Sequence, residues 1–589
     1  MFESLRPLFP YLRRYWKQLA WGGVSVILYN SLKVLIPIII GHAIDDLKHG
    51  ATQQKILVYA LRLLGVAAVS AIFLYTTRQV IIGASREIEF DLRNDLFANL
   101  ERQSASFYQT HRTGDIMART TNDLNAVRQL LGPAIMYSAN TIFFTAVALP
   151  VMFKISPKLT FFAFVPLPLA SLLVQQFGAH INRRFERIQA MFSDISSKAQ
   201  ENFSGARLIR AFAQEDSEIA MFETANLEYI DRSLHLVRLM AMLWPTLEFI
   251  LGLSLMITLL VGGHEVLAGR ITGGEFAEYL VYMVQLTFPM IAVGWVVNLF
   301  QRGIASVVRI DELLKQEPEI TDATLSVRGE TAEAPSISLT GDIQFRNLTF
   351  SYTPDGPTVL ENINLDIPAG SSLAIVGPTG SGKTTLINLI PRIYDAEEGA
   401  VLIDGKPIRE YPVQSLRQQI GVVPQETFLF SDTIERNISF GTPEATHLEI
   451  EDAAAVAHIR TEILEFPKGF STMVGERGIT LSGGQKQRTA IARAVIRNPR
   501  VLIFDDALAS VDTYTEEQIL SGLKRIMDGR TTIFISHRIS TARNADQIAV
   551  LVDGRIAERG THDELLGAGG YYTRLYEKQQ LEEELAVAQ

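Results

Sequence analysis

Six long apolar stretches dominate the first half of the chain. They run approximately Leu19 to Gly41, Ile56 to Ile82, Leu131 to Phe153, Leu159 to Phe177, Leu239 to Gly262 and Phe276 to Phe300. Each approaches or exceeds the ~20 residues a helix needs to cross a bilayer core. Buried helices of soluble proteins are usually shorter, so the pattern predicts an all-α domain with six membrane spans. Between the second and third spans, and between the fourth and fifth, Glu87 to Leu100 and Ile188 to Phe212 keep apolar residues three and four positions apart. The spans are therefore expected to continue as helices past the bilayer and to end in hairpins. The turns there, His111 to Asp115 and Phe203 to Arg207, are placed to touch something below the membrane.

From about Gln316 to Ser338 the pattern breaks into a polar stretch with Pro and Thr, which reads as a linker. Beyond it short β-branched runs alternate with helical ones: Ser372 to Val376, then Thr384 to Ile390; Val501 to Phe504, then Glu516 to Ile526; Thr531 to Ile535; Ile548 to Leu551. That alternation predicts a parallel α/β sheet. Leu581 to Leu585 reads as a frayed acidic helix. The expected organisation is a transmembrane domain over 1–315, a linker over 316–338 and an α/β nucleotide-binding domain over 339–589.

Charge sharpens this division. Up to Ile320 basic and acidic residues nearly balance, at +2, whereas the remainder carries −12. No basic face suggests a nucleic-acid footprint, and nucleic acid is not an expected partner. The segment between the second and third spans contains Arg86, Arg93, Arg102, Arg112, Arg119 and Arg128. The segment between the fourth and fifth contains Arg183, Arg184, Arg187, Lys198, Arg207, Arg210 and Arg232. The other loops are short and carry few cations, chiefly Lys48, Lys154 and Arg270. The positive-inside tendency then places the N-terminus, both long loops and the second domain in the cytoplasm. Phe2 to Leu19 mixes Arg and Lys with Trp, Tyr and Leu, reads as an interfacial amphipathic helix, and is not a cleavable signal peptide. The absence of cysteine excludes disulfides, thiol catalysis and Cys-ligated metals.

The chemistry concentrates in the second half. Gly377-Pro378-Thr379-Gly380-Ser381-Gly382-Lys383-Thr384 fills the phosphate-binding loop pattern, after an apolar run and before a helix. Glycines let backbone N–H groups curl around phosphate oxygens, and the helix N-terminus favours an anion. Lys383 is expected on the β- and γ-phosphates and Thr384 on Mg²⁺, with Thr385 beside them among the nucleotide contacts. The strand Val501 to Phe504 ends in Asp505, the expected Mg²⁺-side carboxylate, followed by Asp506.

Shortly before that strand stands Leu481-Ser482-Gly483-Gly484-Gln485. With it the chain resembles the ATP-binding cassette (ABC) transporters, whose signature reads LSGGQ. The resemblance extends over nearly the whole chain and, in order, implies further roles. Tyr352 matches the aromatic that stacks on adenine, and Gln425 the glutamine that senses Mg²⁺. Val474 to Gly478 looks like a segment characteristic of exporters. Ala509 to Asp512 matches a loop that touches the opposite motor, and His537 the γ-phosphate-sensing histidine. Phe107-Tyr108, Thr113-Gly114-Asp115 and Thr121-Asn122-Asp123 resemble the first coupling segment. The resemblance implies a multi-pass protein of the bacterial inner membrane that pairs with a second half-transporter. Each ATP is then held between one chain's phosphate loop and the other's Ser482-Gly483-Gly484-Gln485. The implied activity is ATP-driven export of amphipathic drugs, lipids or peptides, with membrane lipids as further partners.

One position departs from the family pattern. Complete members carry glutamate after the Mg²⁺ aspartate, acting as general base for the attacking water; here stands Asp506. Its carboxylate is drawn back by roughly 1 Å, and misplacement of that size can cost about 10²-fold in rate. The expected site binds ATP well and hydrolyses it slowly. The favoured explanation is a heterodimer in which this chain is the degenerate-site member. The alternatives are a homodimeric flippase with slow turnover and an ATP-gated channel or regulator on the same scaffold.

Within the apolar stretches lie four charges, Lys33, Arg78, Glu248 and Glu278. Intramembrane charge marks a functional site by default, although such residues also pair with one another or sit where a helix has left the bilayer. Phe143, Phe144, Phe161, Phe162, Trp244, Phe288 and Trp295 are candidate cavity aromatics, with lipid-facing packing the plainer expectation for most.

Overall fold

The computed structural model describes residues 3–322, 337–353, 356–475, 481–508 and 513–587. Residues 323–336 of the expected linker, Glu476-Arg477-Gly478 of the exporter-like segment, the Ala509 to Asp512 loop and the side chain of Phe288 lie outside the described residues. The chain divides into two compact units. One is Met1–Glu101 with Thr113–Gln316; the other is Arg102–Arg112 with Glu317–Gln589.

The first unit is built from helices α1 (Trp16–Lys48), α2 (Gln53–Glu101), α4 (Ile135–Ile155), α5 (Pro157–Phe164), α6 (Leu167–Ser204), α7 (Glu215–Leu267) and α8 (Gly273–Leu314). The short α3 (Ala105–Thr110) groups with the second unit. At 1.5 Å per residue a helix as long as α2 covers about 70 Å, over twice a hydrocarbon core. Helices therefore do continue well past any bilayer. Among the described residues, Trp16–Lys48, Gln53–Glu101, Thr113–Ile155 and Glu215–Leu267 are long and apolar enough to cross a membrane. The expected fourth stretch is divided between α5 and α6 at Val165–Pro166, where proline withdraws an amide N–H from the ladder. The sixth lies inside α8, whose start is fixed by a capping box between Thr272 and Glu275.

Close helix contact needs small residues. A Cβ on Gly22 would lie 2.5 Å from Ile81, and one on Gly274 would lie 2.0 Å from the Gly41 carbonyl. Asp123, expected in a coupling segment, makes its contacts inside this unit. Its buried carboxylate accepts from Ser306 Oγ at 2.9 Å and Arg309 Nε at 2.8 Å. The N-terminal segment is helical, a 3₁₀ helix over Glu3–Leu8 followed by a short α-helix over Phe9–Arg14, and its tyrosines face protein acids. Tyr11 donates to Asp95 at 2.6 Å and Tyr15 to Asp91 at 2.9 Å. Of the candidate aromatics, Phe144 is buried, while Phe143, Phe161, Phe162, Trp244 and Trp295 are exposed. Buried Glu278 lies against Gly41, and Glu248 is exposed.

The second unit has two sheets. An antiparallel one has the order β2-β1-β4-β5, from β1 (Ile343–Phe350), β2 (Leu360–Ile367), β4 (Val401–Ile403) and β5 (Lys406–Pro407). The other has the order β10-β9-β3-β8-β7-β6. It comprises β3 (Ser372–Val376), β6 (Ile420–Val423), β7 (Val501–Asp505), β8 (Thr531–Ile535), β9 (Gln547–Val552) and β10 (Arg555–Gly560). All its pairings are parallel except β10 with β9. β3, β7 and β8 are buried at every residue, as expected of strands covered on both faces. The parallel sheet matches the expected α/β class; the antiparallel sheet was not anticipated.

The antiparallel sheet is tied down by Asp404. Its carboxylate accepts from the amides of Thr340 (2.8 Å), Gly341 (2.9 Å) and Asp342 (3.0 Å), and from the Thr340 hydroxyl. Burial pushes the Asp404 carboxyl up, but the hydrogen bonds from Thr340, Asp342 and Gly341 outweigh it and hold it below its ordinary value. A depressed carboxylate stabilises the fold above its unfolded value, near 3.9, and the contribution fades as pH falls through the folded one. Asp404→Ala is expected to destabilise the second unit by about 1–3 kcal/mol at neutral pH. Calorimetry of the intact chain in detergent should show the deficit narrowing below about pH 4.

Candidate functional site

The parallel sheet delivers the candidate residues to one edge. Strands β3, β8, β7 and β6 are neighbours in that order, and each ends in a polar turn at its carboxyl end. β3 leads into Gly377 and the loop, β8 into Ser536 and His537, β7 closes on Asp505 before Asp506, and β6 leads through Pro424 to Gln425. In open parallel sheets this edge is where ligands bind. Thr379, Gly380, Gly382, Lys383, Thr384, Thr385, Gln425, Asp505, Asp506 and His537 line a single cleft of about 190 Å³.

The loop conformation is one that glycine permits. Gly377 has φ +154°, and a Cβ there would sit 2.0 Å from the Leu551 carbonyl; Gly382, at φ +95°, opens helix α9 (Lys383–Asn388). Lys383 is buried and donates to the carbonyls of Gly377 at 3.0 Å and Pro378 at 2.8 Å. Burial pulls its ammonium below the ordinary value, against the pull of Asp505 and Asp506. Ser381 Oγ is buried with no partner among the described residues, an unsatisfied donor inside a phosphate-type loop.

Asp505 is pushed above the usual carboxylate range by burial, with Asp506 adding to the rise; a hydrogen bond from Thr384 and the charges of Lys383 and His537 oppose it. Such a group gains from a cation beside it. The Thr384 hydroxyl, the Asp505 carboxylate and the Gln425 amide form an all-oxygen donor set suited to Mg²⁺. No group of three His, Asp or Glu able to hold a metal occurs among the described residues. The set therefore suits an ion that takes its other ligands from phosphate and water.

Tyr352 stands beside this loop. Its hydroxyl lies 2.7 Å from Thr385 Oγ1, and its ring meets Tyr394 edge-on at 5.1 Å. The Tyr394 hydroxyl in turn accepts from Gln109 Nε2 of α3 at 2.6 Å. The signature residues are elsewhere. Ser482, Gly483, Gly484 and Gln485 open helix α10 (Gly483–Val495), with Ser482 and Gln485 forming a reciprocal cap, and none of them lines the cleft. Gln485 is further held by Glu462, which also binds Arg488.

Sequence comparison decides what this arrangement is. Residues 19–290 match the ABC transporter transmembrane region, and residues 360–509 match the ABC transporter family. The "Probable multidrug resistance ABC transporter ATP-binding/permease protein YheI" of Bacillus subtilis is 37% identical over 583 residues, 99% of this chain and 98% of the relative. The chain belongs to the ABC transporter family. The ATP-dependent lipid A-core flippase of Syntrophus aciditrophicus is 36% identical, over 94% of this chain and 91% of its own length. A bacterial Atm1-family ABC exporter with ATP bound superposes with a TM-score of 0.77 at 29% identity, covering 96% of this chain and 98% of that one. This ABC transporter thus joins a helical transmembrane domain to a C-terminal α/β ATP-binding domain, the exporter fold, and is a multi-pass membrane protein.

In this transporter the fold also recruits residues that no motif announced. Gln579 of α12 (Tyr571–Val587) receives the Ile539 amide at 2.9 Å and donates to the His537 carbonyl, clamping the backbone on both sides of His537. Buried Glu516 of α11 (Thr513–Met527) accepts from Arg538 and from Thr541 Oγ1, the latter at 2.6 Å. A glutamine beside a second one, Gln580, in a charged C-terminal helix carries no sequence signal for such a role. Gln579→Ala is expected to lower the kcat of ATP hydrolysis about three- to tenfold, leaving the KM for ATP and the melting temperature nearly unchanged. Steady-state kinetics with a thermal melt check it.

Proposed function

We propose that the chain is one half of an ATP-driven exporter of amphipathic molecules, with its N-terminus and ATP-binding domain in the cytoplasm, and that its own ATP site turns over slowly. The observation carrying this reading is a division within one domain. The phosphate loop, Asp505, Asp506, Gln425 and His537 share a cleft, whereas Ser482 to Gln485 stands outside it. A cleft lacking its signature is complemented by a second chain. The hairpin tip supports pairing, because Phe203, Leu208 and Phe212 are 81%, 63% and 68% exposed and would suit docking on a partner's ATP-binding domain.

In the working site Lys383 would leave the Gly377 and Pro378 carbonyls for phosphate oxygens, joined by loop amides and the Ser381 hydroxyl. Thr384, Asp505 and Gln425 would hold Mg²⁺, which neutralises charge developing on the phosphates. Tyr352 would present its ring to adenine. Asp506 would orient and deprotonate the attacking water, at a distance one methylene too long, while His537 would contact the transferred phosphate. Domain closure would reach the membrane helices through α3, which follows α2 in the chain and is hydrogen-bonded to Tyr394. The multidrug and lipid-flippase names of its relatives support an amphipathic cargo. We favour a heterodimer in which a partner supplies the missing glutamate. A homodimer of two slow sites is the alternative.

Lys383→Ala should abolish retention of Mg·ATP by the purified chain, measured with a fluorescent nucleotide. Asp506→Glu should raise kcat by roughly 10²-fold with little change in the KM for ATP. Hydrolysis by the wild-type chain alone at the rate of the Glu variant would refute the slow-site reading.

A further inference from the structure

Two cations of the transmembrane unit have no anionic partner among the described residues. Lys33 lies within the first apolar stretch on α1 and Arg78 near the end of the second on α2. Both line one cavity of about 150 Å³, shared with Tyr29, Asn30, Asn140 and Phe144. Gly22 packs on Ile81, so the antiparallel register sets the two cations roughly 12 Å apart along the helix axes, within reach of their long side chains. Among the described residues neither makes an ion pair or a hydrogen bond; the Lys33 ammonium rests 4.5 Å from the centre of the Phe144 ring.

The acids of the same spans are committed elsewhere or do not line the cavity. Glu265 takes Lys158 and Arg270, and Asp45 takes Thr272 and the Gly274 amide. Buried Glu278 and exposed Glu248 are absent from the lining. The lining amides do not supply negative charge either, since Asn30 donates to Asn140 at 2.9 Å and to the Val26 carbonyl at 2.8 Å. Every ionisable group on the cavity wall that is charged at neutral pH is therefore positive. Cations at bilayer depth are expensive unless paired or facing a ligand path. At about half the roughly 300 Å³ at which pockets begin to engulf a drug-sized molecule, the cavity fits a head group and leaves an alkyl chain outside.

We propose that this cavity binds the anionic group of the cargo, a phosphate, sulfate or carboxylate, gripped by Lys33 and Arg78. The word cargo rests on the export reading above; the binding site does not. The decisive experiment uses the full chain in neutral maltoside micelles without nucleotide, titrated calorimetrically with dodecyl phosphate, inorganic phosphate and dodecyltrimethylammonium. Dodecyl phosphate should saturate at one per chain, and the cationic amphiphile should not displace it. Lys33→Gln with Arg78→Gln should weaken binding at least about tenfold, whereas Lys33→Arg with Arg78→Lys should retain it within about threefold. Inorganic phosphate binding as tightly as the amphiphile supports the site and identifies a free anion as its source; weak binding identifies a head group. Unchanged affinity in the charge-removed double variant, or equal binding of the cationic amphiphile, overturns the proposal. Should the double variant misfold, Arg78→Gln, at an exposed position, decides by the same criteria. Absence of ATPase activity would sink the export reading while leaving this titration intact.

Discussion

Register across the parallel strands is the constraint on which the rest depends. Ile375 pairs with Ile535, Ile535 with Asp505, and Phe504 with Val423, so the carboxyl ends of β3, β8, β7 and β6 finish at one level. Each polar residue of the cleft is the first or second residue beyond a wholly apolar run, or the loop that such a run feeds. Slipping any strand by one position would drive an acid into the core or pull an isoleucine to the edge. Burial on both faces makes such slips expensive, and so the same apolar side chains that stabilise the sheet also position its charges.

The first unit solves a different problem. Its helices must satisfy backbone groups internally wherever they meet lipid, and long uninterrupted ladders do so. Polar side chains are then spent sparingly: Asp123 on Ser306 and Arg309, Glu265 on Lys158 and Arg270. Against that economy Lys33 and Arg78, without an ion pair among the described residues, stand out. Conversely, α3 leaves the first unit altogether and joins the second through Gln109 and Tyr394. Because Tyr394 touches Tyr352 and Tyr352 touches Thr385, only three contacts separate a membrane-connected helix from the phosphate loop.

Much of this was legible from residue order. Runs of apolar residues longer than any soluble helix requires announced the spans, and Ser372–Val376 and Thr531–Ile535 were bounded correctly because short β-branched runs between turns have few other readings. The antiparallel sheet was not legible. β1 mixes Arg346 and Asn347 into its apolar positions and breaks register at two places, which blurs its alternation. The phosphate loop declared itself through glycine spacing. Gln579, Glu516 and Tyr394 could not, since each acts through contacts that span 22 to 42 residues of chain. The partner of Asp123 was illegible for a related reason, since nothing in the residue order announces Arg309, 186 positions further on.

Asp506 illustrates how local backbone and chemistry compete for one position. Its φ is +46°, and its amide is fixed to the Ile535 carbonyl at 2.9 Å. Aspartate enters the left-handed region more readily than longer side chains, because its short carboxylate bonds locally. Under the proposed general-base role, aspartate suits this turn but is one methylene short of the reach that glutamate would have. A glutamate here would trade some backbone comfort for reach, a cost of roughly 1 kcal/mol against a rate term of about 10²-fold, or nearly 3 kcal/mol. On these magnitudes selection for turnover favours glutamate. Aspartate makes physical sense where this cleft is asked chiefly to bind ATP and hold two chains closed.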